Sequence, residues 1–180
     1  MLEKDILETL VSKDEIDSIC KKLGEQITKD YKNKDLVVVG LLSGCLPFMS
    51  DLVRQIDLYI STDYMKVSSY NGTKSSGHIE IKSDLNLNVE GKDVLLVDDI
   101  IDTGLTLKET VSYFLNVKKA KNVKTCVLLD KPEGRIERIE ADYVGTTVPK
   151  KFVVGYGLDY DSKYRNLPFV GVLKEEVYKK

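Results

Sequence analysis

The stretch DVLLVDDIIDTGLTL (residues 93–107) sets three carboxylates, Asp98, Asp99 and Asp102, directly before a turn of Thr103, Gly104, Leu105 and Thr106. An apolar run ending in acids reads as a buried strand that delivers charge to its carboxyl end, where open α/β sheets hold their ligands. In an extended chain Asp98 and Asp99 leave on opposite faces. The T-G-L-T that follows opens a helix, so its backbone N–H groups and the hydroxyls of Thr103 and Thr106 can form a phosphate cradle. Carboxylates that accept from vicinal hydroxyls, beside a turn that holds an anion, suit a sugar phosphate. Neither GxxxxGK[ST] nor GxGxxG occurs in the chain, so neither a P-loop nor a dinucleotide fold is signalled. Two other readings stand beside this one: acids that merely cap the helix and solvate the strand end, and a receiver-like metal pocket. The latter normally lies near a first strand, and VLLVDD lies in mid-chain.

These residues need a frame. Ser12 and Glu15 form a capping box, and Ile16, Ile19, Leu23 and Ile27 continue it at helical spacing to about Tyr31. LVVVGLL (36–42) reads as a strand, SGCLP as a loop, and Phe48, Leu52, Val53 and Ile56 as one side of a helix. LYISTDYMKV (58–67) predicts a second strand, SSYNGTKSSG (68–77) an exposed mobile loop, and HIEIKSDL (78–85) a half-exposed strand beyond it. After DVLLVDD, the residues Leu107, Val111, Phe114 and Leu115 mark a helix ending near Lys118. VKTCVLL (123–129), DYVGTTV (142–148) and FVVGYG (152–157) complete the strands. Apolar strands alternating with helices predict an α/β fold, a mostly parallel twisted sheet flanked by helices on both faces. Only the hairpin-like arms around residues 68–77 break the alternation.

With 180 residues, 42% hydrophobic and 31% charged, the chain has material for one sizeable core, so a single domain over residues 1–180 is expected. Lys+Arg 27 against Asp+Glu 29 gives a net charge of -2; no basic excess points to nucleic acid or an anionic membrane. Cys20, Cys45 and Cys126 are odd in number and form no CxxC pair, which argues against a disulfide framework or a thiolate metal cluster. The opening MLEKDILETL lacks the pattern of a signal peptide, and the longest apolar run, residues 36–42, is too short to span a bilayer. A cytoplasmic, soluble protein is the expectation. The lone His78 is assigned no role.

VDDIIDTGLTL closely resembles the 5-phosphoribosyl-1-pyrophosphate (PRPP) signature of the type I phosphoribosyltransferases. SSYNGTKSSG, LLDKPEGR and KFVVGYGLDYDSKYRNLPFVGVL resemble the hypoxanthine-guanine branch of that family. The resemblance covers nearly all of residues 10–178. It implies the type I fold, with a small hood region and a mobile active-site loop. It also implies a magnesium-dependent enzyme that moves the 5-phosphoribosyl group of PRPP to N9 of hypoxanthine or guanine, giving IMP or GMP and pyrophosphate in purine salvage.

By the same resemblance, Asp98 and Asp99 hold the ribose hydroxyls, and Asp102, Thr103, Gly104, Leu105 and Thr106 surround the 5′-phosphate. Asp102 also faces N7 of the purine as the acid/base group. Lys131 meets the 6-oxo group, Phe152 stacks on the purine, and the backbone of Val153 reads the base edge. Asp159 borders the base and ligates Mg2+, with Asp98 and Asp99 as the other acidic candidates for the metal. Arg165 and Gly44 contact pyrophosphate, and Ser69 and Tyr70 lie on the mobile loop. Taken alone, Lys131 reads rather as a surface lysine after a strand, Phe152 rather as core, and Arg165 also as the partner of an acid such as Asp161.

One position departs from the family. The loop after LVVVGLL usually carries Lys or Arg before its glycine, in a cis peptide that touches pyrophosphate; here it is Ser43-Gly44. Two alternatives to the salvage enzyme follow from the same fold: a relative that uses xanthine, and an RNA-binding attenuator that senses PRPP and would need a basic face. The family also implies a homodimer or homotetramer.

Overall fold

The computed structural model describes residues 2–69 and 79–179. After β1 (Ile6–Val11), helix α1 (Lys13–Asp30) starts at the capping box read from the sequence. The Ser12 side chain accepts from the Glu15 N–H at 3.3 Å, and the Glu15 carboxylate accepts from the Ser12 N–H at 2.7 Å. Two donors with no helical partner are thereby satisfied. There follow β2 (Leu36–Leu42), α2 (Leu46–Val53), β3 (Ile60–Ser69), β4 (Ile79–Ser83) and β5 (Asp93–Ile101). The chain continues with α3 (Leu105–Asn116), β6 (Asn122–Asp130), β7 (Tyr143–Thr147), β8 (Val153–Val154), β9 (Val170–Leu173) and α4 (Glu175–Tyr178).

Six strands form the main sheet in the order β4-β3-β2-β5-β6-β7. All its pairs are parallel except β3 with β4. Strand β2 lies between β3 and β5, and its alternate residues enter two cores. Leu36 and Val38 pack with Ile16, Leu23, Ile27, Phe48 and Leu52 on one face. Val37, Val39 and Leu41 pack with Leu107 and Phe114 on the other. A strand buried on both sides has no polar face to display, which is why LVVVGLL does not alternate. Each such fully buried side chain contributes about 1.5–3 kcal/mol.

Two differences from the sequence reading concern where elements stop, and a third concerns which way a side chain faces. Strand β5 runs on to Ile101, because Asp98, Ile100 and Ile101 keep register with Val127, Leu129 and Asp130 of β6. Helix α2 ends at Val53, with Ile56 beyond it though still buried. Leu115 turns outward, 42% exposed, and Leu107 and Phe114 carry the contact of α3 with the core. The larger correction is FVVGYG. It contributes only Val153–Val154, and to a separate three-stranded sheet of order β1-β9-β8 rather than to the parallel one. Gly155, Tyr156 and Gly157 all have left-handed φ, +98°, +48° and +101°, which ends any strand at Val154. This small antiparallel sheet corresponds to the expected hood.

The arm that leaves the parallel sheet is held by two acids. Buried Asp63 accepts N–H groups from Tyr64, Asn86 and Leu87, each at 2.8 Å. Asp84 accepts from the Tyr113 hydroxyl at 3.0 Å and from Lys118 at 2.5 Å. Burial alone would raise the Asp63 carboxyl, but the three N–H donors outweigh it and hold it below its ordinary value. A depressed carboxyl contributes stability above its unfolded pKa of about 3.9, and that stability is lost as pH falls through the folded value. Amide-exchange protection at Asn86 and Leu87 is therefore expected to persist at pH 5 and to be lost as the pH falls through that lowered folded value; equal protection factors at pH 5 and in strong acid would contradict the tie. Ser69 ends β3, and Tyr70, with residues 71–78, lies outside the described residues. No described helix is long and apolar enough to cross a membrane.

Candidate active site

Asp98 and Asp99 stand half-buried near the carboxyl end of β5. The Asp99 N–H donates to the Asp98 carboxylate at 3.0 Å, and the Ile100 N–H to that of Asp99 at 2.8 Å. Burial, reinforced by the neighbouring Asp99 carboxylate, pushes Asp98 well above the usual carboxylate range. Burial raises Asp99 too, against hydrogen bonds and the nearby Arg165 that favour its charge. Two acids that resist ionising together are suited to meeting hydroxyl donors or a cation.

After Ile101 the chain turns, with Gly104 at φ +82°. Every carbonyl of that turn is engaged. Ile101 accepts from the Lys131 N–H, Asp102 from Arg135 Nε, Thr103 from the N–H groups of Ile136 and Glu137, and Gly104 from Lys108, all at 3.0 Å. The N–H groups opening α3 have no acceptor within the helix. Acceptors are thus turned into protein, leaving donors for a cavity of about 150 Å³ lined by Asp98, Asp102, Thr103, Gly104 and Thr106. Leu105 starts α3 and gives its N–H a 3.4 Å contact with the Thr103 hydroxyl.

Beside this turn, the Lys131 ammonium lies 2.5 Å from the Asp102 carboxylate and only 14% of the side chain is exposed. Lys131 is therefore no ordinary surface lysine. Phe152 is 38% exposed and packs with other rings: Tyr178 stacks on it at 4.8 Å and Tyr160 meets it edge-on at 5.7 Å. Val153 pairs with Val172, and the Leu173 N–H donates to the Phe152 carbonyl at 2.9 Å. Antiparallel pairs alternate between bonded and non-bonded positions, so the N–H and C=O of Val153 point away from β9, along the open edge of the hood sheet.

The third wall comes from the loops. The peptide bond between Leu42 and Ser43 is cis, and Gly44 is pressed against the Asp99 carboxylate, where a Cβ would come within 1.7 Å of an oxygen. Gly157 lies behind Gly44; its own Cβ would meet the Gly44 carbonyl oxygen at 1.9 Å. Arg165 pairs with Asp159 at 2.7 Å and donates to the Gly157 carbonyl, while Asp161 pairs with Lys163. The arginine thus binds inward, to Asp159 instead of Asp161. Asp159 also accepts from the Ser162 N–H at 2.9 Å.

The sequence reading named residues of which the structure sets Asp98, Asp102, Thr103, Gly104 and Thr106 round one cavity, Lys131 against Asp102, and Asp99 against Gly44. It missed Arg135, Gly157 and Tyr178. Only the basic residue at the end of LLDKPEGR offered a signal, and none distinguished it from the other arginines of the chain.

A phosphoribosyl transferase domain matches residues 8–161, and the chain belongs to that family, on the type I phosphoribosyltransferase fold. Within it, the chain is 57% identical over 179 residues, 99% of each chain, to a hypoxanthine-guanine phosphoribosyltransferase of Streptococcus pneumoniae. It is 52% identical, over 181 aligned positions that cover the whole of both chains, to one of Streptococcus pyogenes. A hypoxanthine phosphoribosyltransferase of Staphylococcus aureus superposes with a TM-score of 0.94 at 49% identity, covering 99% of this chain and 97% of that one.

Proposed function

We propose that the chain moves the 5-phosphoribosyl group of PRPP to N9 of hypoxanthine or guanine, giving IMP or GMP and pyrophosphate for purine salvage. The observation that carries this reading is the Asp102–Lys131 contact beside the phosphate turn. A free 6-oxopurine in its N7–H tautomer presents a donor at N7 beside the O6 acceptor on one edge. Lys131 supplies a donor to O6, and Asp102 receives or returns the proton at N7 as N9 takes the anomeric carbon. Phe152 flanks the ring, and the outward backbone groups of Val153 meet its far edge.

The turn from Asp102 to Thr106 holds the 5′-phosphate, and Asp98 and Asp99 take the ribose hydroxyls. Displacement of pyrophosphate passes through an oxocarbenium-like state, so the site must neutralise a leaving anion and keep water from a cation. Arg165 and the Gly44 turn face that leaving group. A raised carboxyl pair is a donor set that a hard dication satisfies with few protein ligands. Among the described residues no three acids or other ligands gather as a metal cage, so Asp98, Asp99 and Asp159 would hold Mg2+ only together with substrate oxygens and water, and a carboxylate with about four lone-pair sites accommodates it beside the existing bonds of Asp159. When bound, the metal offsets pyrophosphate charge. The chain works in the cytoplasm as one domain, assembled as a homodimer or homotetramer.

The test is incubation with PRPP, Mg2+ and each of hypoxanthine, guanine, xanthine and adenine. IMP and GMP should form, and chelation should abolish both. Xanthosine monophosphate as the main product would favour the xanthine-using relative, and PRPP binding with no product from any base would leave a PRPP-sensing regulator.

Ser43 gives a further expected result. A lysine there adds one charge-assisted contact to pyrophosphate, so Ser43→Lys should tighten pyrophosphate inhibition by roughly 1.5–3 kcal/mol. An unchanged inhibition constant would mean that another cation already fills that place.

A further inference from the structure

We infer that Arg135 is a positioning residue, which sets the affinity of the phosphate turn without touching the phosphate. The inference rests on reading residues 102–106 as the 5′-phosphate site. An anion turn works only while its carbonyls face away, because a single reversed peptide would place an acceptor against the phosphate. Three of the four engaged carbonyls are held by backbone N–H groups. The exception is that of Asp102, the residue proposed to work on the base, and Arg135 Nε holds it at 3.0 Å.

The same guanidinium donates to the Ile139 carbonyl at 2.6 Å and to the Asp130 carboxylate at the end of β6. Its side chain is 16% exposed. One planar fork thus fastens three things: the strand end, the bend at residues 135–139 and the turn after β5. That bend in turn supplies the Ile136 and Glu137 N–H groups that occupy the Thr103 carbonyl. Gly104 completes the fit, since a Cβ there would lie 2.6 Å from the Ile139 side chain and 3.1 Å from that of Arg135. A lysine carries the charge but cannot make three directed bonds in one plane.

A second tie, Lys108 to Glu137 at 2.6 Å, joins α3 to the same bend but is solvent-exposed at the lysine. Exposed pairs contribute little, so Lys108→Met serves as the control for merely loosening this segment.

The experiment compares two competitive inhibitors that occupy different halves of the proposed site, ribose 5-phosphate and pyrophosphate, on the full chain with Mg2+. In Arg135→Lys, the inhibition constant of ribose 5-phosphate and the KM for PRPP should rise about 10–100-fold, the loss of one charge-assisted bond. Pyrophosphate inhibition and the KM for hypoxanthine should stay within about threefold, as should every constant in Lys108→Met. If Arg135→Lys does not fold, Asp130→Asn, which slackens the fork while keeping its shape, should show the same pattern at about 3–10-fold. Equal weakening of both inhibitors, or of neither, overturns the role of Arg135. Thr106→Val separates the two levels: if it too leaves ribose 5-phosphate unaffected, the phosphate-turn reading itself is wrong, whereas a loss there with Arg135→Lys unchanged removes only the positioning role.

Discussion

Asp102→Asn should lower turnover with hypoxanthine and guanine alike by roughly 10²–10⁴, the usual worth of a positioned acid/base group, while the KM for PRPP stays within about threefold. The two effects separate because Asp102 serves through different atoms. Its carbonyl, bonded to Arg135, belongs to the turn and survives the substitution. Its carboxylate, 2.5 Å from Lys131, is what the substitution removes. An amide keeps the shape, and its oxygen can still accept from the Lys131 ammonium, but it can neither take nor return a proton. A fall in kcat and kcat/KM by the same factor marks an interaction made in the transition state. Turnover within about fivefold of wild type, or PRPP affinity lost in step with turnover, would refute the assignment.

In the proposed reaction Lys131 decides the choice of base. The wild-type protein should reject adenine by about four orders of magnitude relative to hypoxanthine, because the adenine 6-amino group would set a donor against a donor and leave both unsatisfied. The ammonium has little water to retreat to, with 14% of its side chain exposed and Asp102 beside it. Lys131→Gln, whose amide can donate or accept, should reduce efficiency with 6-oxopurines and narrow the gap to adenine. Comparable wild-type rates with adenine and hypoxanthine, or full selectivity in Lys131→Gln, would place the discriminating group elsewhere.

Much of this was legible in the sequence because it is written in local chemistry. The run LVVVGLL, buried on both faces, and the capping box at Ser12 each identify their element from adjacent residues alone. The acids of β5 announce the site for the same reason, since charge at the end of an apolar strand has few structural uses. What stayed hidden depends on long-range pairing. FVVGYG has strand composition, yet three left-handed residues end it at Val154, and nothing local tells which sheet it joins. Arg135 acts on a residue 33 positions away. Gly157 matters because it backs onto Gly44, a proximity that exists only once the loops have met.

The hood sheet has a consequence for how the protein is made. Its middle strand, Val170–Leu173, pairs with Ile6–Val11 on one side and with Val153–Val154 on the other. During synthesis the first strand therefore leaves the ribosome long before its sheet neighbour is translated, and bringing the two together closes a loop of nearly the whole chain. Closure entropy grows only slowly with length, so the finished pairing is not weak, but it comes late, because so distant a contact must await the elements between. The parallel strands from β2 to β6 can associate first as their residues emerge. The half of the proposed site built on β5 and its turn thus takes shape before the half around Phe152, and a nascent chain halted short of residue 170 would expose the β1 edge with no strand to cover it, a template for aggregation.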